Sequence, residues 1–78
     1  MGRYRKILSM KQETKNKLFW AWAYCDEKDK STEFMIQFMQ DHAGVDFDTV
    51  MAFIERTTDK QRSQWYRENP TWYSKLNN

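Results

Sequence analysis

The sequence predicts an all-α fold: a compact single domain of four main helices with a short fifth helical turn at its C-terminus. Two Gly and one Pro in 78 residues supply too few tight turns for a multi-stranded protein. Lys, Glu, Gln and Met, all good helix formers, are abundant. Side chains suited to helix caps also stand ahead of segments whose apolar residues repeat with helical spacing.

Residues 1–8 are basic and aperiodic and read as an N-terminal arm, leaving 9–78 as the helical domain. Ser9 with Gln12 has the spacing of a capping box, in which each side chain bonds the other's free backbone N–H. A helix from about Met10 to Lys28 follows, with Leu18, Trp22 and Cys25 along one stripe. The run Leu18 to Tyr24 also alternates large and small residues as a strand would. Its helix-forming flanks, and the lack of a hairpin signal after it, favour the helix. Asp26 to Lys30 is a charged connector, and Ser31 or Thr32 caps the second helix. There Met35, Phe38, Met39 and His42 recur at the period of one helix face. Gly44 suits the left-handed residue that ends a helix. Asp46 caps a third helix, and Val45 with Val50 makes a hydrophobic staple across that cap. Phe47, Val50, Met51 and Ile54 are the buried stripe expected of it. Thr58 with Gln61 repeats the capping-box spacing and opens a fourth helix through Glu68. Asn69-Pro70 then starts a last turn, Thr71 to Leu76, which lays Trp72 and Leu76 back onto the body.

A chain of this length lies near the lower limit for a stable core. Cys25 is its single cysteine, so no internal disulfide assists. Aromatic residues, 17% of the chain, and five Met supply the core instead, the rings by large buried area and Met by filling gaps. A lone thiol in an apolar run reads as a small core residue in a reducing compartment. One Cys and one His, Cys25 and His42, cannot build a zinc site. As a nucleophile Cys25 would need His42 for its base. Neither a Gly-rich phosphate loop nor a nucleophile with an evident base is present. The Asp46/Asp48 carboxylate pair is explained by capping and the helix dipole. The expectation is therefore a protein that is not an enzyme and uses no cofactor or metal. No signal peptide is legible, and the longest apolar run, Leu18 to Cys25, is too short to span a bilayer. The sequence reads as soluble and cytoplasmic, without a membrane partner.

The segment Asp41 to Arg56 carries a local resemblance to helix-turn-helix repressors over residues 40–54. Ala43-Gly44-Val45 matches their turn, and Thr49, Val50, Phe53 and Ile54 match the apolar positions of the second helix. The resemblance implies DNA reading by that helix. The chain departs from the pattern at Gln40, where a small residue is usual. It departs again at the contact positions, where Phe47, Asp48, Met51, Ala52 and Glu55 replace the Arg, Lys, Gln or Asn that read bases. The general texture of the chain also looks like the small helical accessory proteins of T4-like phages, such as the one encoded beside their recombination helicase. That likeness implies a setting in DNA metabolism.

Charge is unevenly placed. Residues 1–17 hold six basic side chains and one acidic; residues 31–56 hold five acidic and one basic; residues 57–78 hold four basic and two acidic. The helix-turn-helix segment thus lies in an acidic middle that phosphates would avoid, and the ends are the candidate nucleic-acid contacts. Those are Arg3, Arg5, Lys6, Lys11, Lys15 and Lys17 at one end, and Arg62, Trp65, Tyr66, Arg67, Trp72 and Tyr73 at the other. Cations interleaved with rings suit single-stranded or structured nucleic acid. The leading expectation is a non-catalytic helical binding module accessory to nucleic-acid metabolism. The alternative is a protein–protein interaction module, an inhibitor or adaptor. Its acidic middle (Asp41, Asp46, Phe47, Asp48, Met51, Glu55) would dock a basic partner such as a helicase or other nucleic-acid enzyme.

Overall fold

The computed structural model describes residues 10–73. Within them lie helices α1 (Gln12–Glu27), α2 (Thr32–Ala43), α3 (Phe47–Arg56) and α4 (Asp59–Glu68). No strand is present among the described residues. The fold is all-α, and residues 18–25 are helical despite their alternation. The arm, Ser9, and the last turn beyond Tyr73 lie outside the described residues. Up to that point the predicted final turn is a 3₁₀ turn at Trp72 and Tyr73, with the Trp72 amide donating to Asn69 O at 3.0 Å.

Local chemistry sets most helix boundaries. The Ser31 hydroxyl accepts from the Phe34 amide at 3.1 Å, and the Asp46 carboxylate from the Thr49 amide at 2.8 Å. Thr58 and Gln61 form the reciprocal capping box. Gly44 ends α2 at φ 69°, ψ 40°, a conformation that costs glycine little. Removing the α3 cap by Asp46→Ala is expected to cost about 1 kcal/mol. A domain of this size would then melt about 4–8 °C lower by calorimetry or CD. Helix α1 starts at Lys11 without a side-chain cap. It ends on Asp29 at φ 54°, with the Lys30 amide reaching Cys25 O at 2.9 Å.

The core is built from Leu18, Ala21, Trp22, Met39, Val50 and Phe53. Trp22 and Cys25 are buried on α1 as the stripe predicted, together with Ala21 and Ala23. On α2, Met39 is fully buried, while Met35 and Phe38 are half-buried and His42 is exposed. The stripe expected of α3 needs correction. Phe47 is 52% exposed, and Met51 and Ile54 are half-buried; Thr49, Val50, Ala52 and Phe53 face inward. The rotation follows from Phe53, whose ring meets Phe19 edge-on at 5.0 Å and Trp22 at 6.1 Å. Small Thr49 and Ala52 beside it let α3 approach closely. None of the described helices is long and apolar enough to cross a membrane.

Candidate nucleic-acid interface

Helices α1 and α4 are antiparallel neighbours joined by rings. Phe19 stacks on Trp65 at 5.6 Å, and the Arg62 guanidinium lies 4.1 Å over Trp22 while also pairing with Asp26. This pairing of early α1 with late α4 brings the first turns of α1 and the segment after α4 together. There the Trp20 Nε1–H donates to Trp72 O at 3.1 Å, across 52 residues of sequence. An open groove of about 800 Å³ runs between the first turns of α1 and the segment Glu68 to Trp72. Its aromatic walls are Trp20, Trp65, Trp72 and His42; its polar rim includes Glu13 and Lys17.

The residues singled out from sequence divide sharply. Lys11 and Lys15, four apart on α1, share one face of the helix, and Lys17 lies on the groove rim. Lys11, Lys17 and Arg67 are exposed and Lys15 is half-buried. Arg67 in the last turn of α4 also opposes the negative helix end. Tyr66 and Trp72 are half-buried against Trp65, at 5.6 and 6.4 Å, and against each other at 5.7 Å. Tyr73 stands outward, 57% exposed, perpendicular to Trp72. Arg3, Arg5 and Lys6 lie outside the described residues.

Two of the expected contacts are engaged within the fold. Trp65 is 6% exposed and part of the packed interior. Arg62 is committed to Asp26 and Trp22. Arg62→Ala is expected to lower stability by about 1 kcal/mol, mostly through the lost ring contact, because an exposed ion pair adds little.

Sequence reasoning missed the groove itself. Trp20 lies outside the Leu18/Trp22/Cys25 stripe, Asn69 reads only as the cap of a last turn, and Glu13, Asn16 and Glu68 carry no local signal. Their meeting depends on α1 and α4 packing end to end. One further feature was illegible: the Trp65 Nε1 is buried and has no acceptor among the described residues, although its ring lines the groove.

On α2, α3 and the turn between them, Asp41, Asp46, Asp48 and Glu55 are exposed. Asp46 is occupied as the α3 cap, and Asp41 accepts from the Gln37 amide at 3.1 Å. Phe47, Met51 and Glu55 share one face of α3 at four-residue spacing. Phe34 stands 44% exposed at the start of α2, with the Lys30 ammonium 5.0 Å from its ring centre.

Cys25 is buried, and burial, with Asp26 adding to it and Lys30 opposing, pushes its thiol pKa up. The sulfur stays protonated and inert near neutral pH, as a packing residue should. Among the described residues no group of His, Cys, Asp and Glu is arranged to hold a metal ion. No family model matches the chain, and neither a curated protein nor a solved structure is significantly similar to it.

Proposed function

We propose that this chain is a non-catalytic helical module that assists a nucleic-acid transaction, holding single-stranded or locally open nucleic acid at the groove between the start of α1 and the segment after α4. The observation that carries this reading is Lys17 on the rim of an aromatic groove closed by the Trp20–Trp72 link, with Lys11 and Lys15 also at the start of α1. Cations that track a backbone beside rings that accept bases are what sequence-tolerant strand binding requires. The acidic α2–α3 turn faces phosphate poorly, so its helix-turn-helix layout serves as a connection between helices.

Tryptophan fluorescence follows the groove directly, because Trp20, Trp65 and Trp72 line it. Titration with single-stranded, duplex and forked DNA is expected to quench it, most strongly for strands with unpaired bases and less as salt rises. A protein that shows no salt-sensitive response up to about 100 μM, the weak end of non-specific binding, does not have this function.

A second reading rests on exposed Phe47 and the carboxylates around it. There α3 would anchor a basic protein partner, such as a nucleic-acid enzyme, with a ring at the centre and acids at the rim. Since Asp46 holds the helix cap, its test changes Asp48 and Glu55 to Lys together with Phe47→Ala. Partner capture that survives all three changes, in a protein that keeps its helical CD spectrum, removes this face from consideration.

A further inference from the structure

The groove is lined by two carboxylates, and these decide how a strand would sit. Glu13 and Glu68 repel phosphate from the groove itself, while Lys17 on its rim and Lys11 and Lys15 elsewhere at the start of α1 can take phosphate outside it. A strand bound here therefore turns its backbone outward and its bases inward. We infer that the groove receives one unstacked base and selects bases bearing an exocyclic amino group, adenine, cytosine or guanine, over thymine or uracil. The inference rests on the nucleic-acid reading above and specifies what its aromatic site recognises.

Each part of a base has a counterpart. The ring faces Trp72, half-buried, with exposed Tyr73 standing perpendicular beside it. An amino group is a donor, and a carboxylate is the side chain that accepts from it. Glu13 is exposed and makes no ion pair among the described residues. Glu68 accepts one bond, from the Gln64 amide at 2.9 Å, and keeps further lone pairs. Gln12 gives an amide N–H to Asn16 at 3.2 Å and retains its carbonyl oxygen as another acceptor on the same wall. Thymine and uracil offer no amino group, only an imide N3–H flanked by two carbonyl oxygens that would confront Glu13 and Glu68. The volume, about 800 Å³ and open on one side, falls within the range of small-ligand sites, about 300–1,000 Å³.

The experiment is a competition titration with adenine, cytosine and thymine homopolymer strands of equal length, plus a strand of abasic sites, at low salt. The wild-type protein is expected to bind the adenine and cytosine strands about tenfold more tightly than the thymine strand, and the abasic strand most weakly. Glu13→Met combined with Glu68→Met should remove most of that preference without weakening the thymine strand, because both positions are exposed and Met keeps similar volume while offering only a weak acceptor. Equal affinity for all three homopolymers, or an abasic strand bound as well as the adenine strand, overturns base selection while leaving the nucleic-acid function standing. A preference that persists undiminished in the double variant also overturns it. Binding to none of the strands overturns both.

Discussion

Trp65→Ala is expected to remove about 3–5 kcal/mol of folding stability, the usual cost of deleting a buried indole. A 78-residue domain has in total about 4–12 kcal/mol to lose. The substitution therefore leaves a protein that is marginally folded at room temperature, with its thermal midpoint lowered by more than about 12 °C. The size of the effect follows from position. Trp65 is the buried residue of α4: it stacks on Phe19 and supports Tyr66 and Trp72. No disulfide restrains α4 if that contact is lost. Trp65→Phe separates packing from polarity. It preserves a ring against Phe19 and removes the unsatisfied Nε1–H, so the loss should stay below about 1.5 kcal/mol. Urea denaturation followed by far-UV CD measures both. Equal, small losses would show that α4 is held by something other than Trp65.

Replacing Lys11, Lys15 and Lys17 together by Gln is expected to leave stability nearly unchanged and to weaken single-strand binding at least tenfold at low salt. Each phosphate contact removed should reduce the slope of log affinity against log salt by about 0.7, so the triple variant loses about 2 in slope. Tyr73→Ala, at an exposed ring, should weaken binding by about fivefold or more with little change in the salt slope, because stacking is not ionic. The two variants thus separate the charge and ring contributions. An unchanged slope in the triple variant places the phosphate contacts elsewhere.

How much of this was legible in the sequence depends on the range over which the determining forces act. Ser31, Gly44, Asp46 and the Thr58/Gln61 box each act on a backbone group within a few residues, and each sits in the structure as its sequence context implies. Gly44 is the clearest case, because its positive φ is a property of one residue. The orientation of α3 was not legible. Both the Phe47/Val50/Met51/Ile54 stripe and the observed Val50/Phe53 face have helical periodicity, and only the shape of the Phe19 and Trp22 rings chooses between them. Ser9 stands outside the described residues, and α1 begins two residues later than expected, at Gln12.

The candidate site was legible by composition and not by geometry. Basic and aromatic residues at both ends were visible, but not which of them pack and which face outward. Arg62 illustrates the difficulty: its partners Asp26 and Trp22 belong to a helix 36 to 40 positions earlier, and nothing near Arg62 announces them. The Trp20–Trp72 link that closes the groove has the same character.

Binding of nucleic acid at the groove between the start of α1 and the segment after α4 is tested by mapping amide chemical-shift changes as a single strand is added to the labelled protein. The largest changes are predicted at residues 11–17 of α1 and 66–73 around the groove, with residues 44–56 of the α2–α3 turn and α3 nearly still. Changes concentrated on the turn and α3, with the groove unmoved, would contradict it.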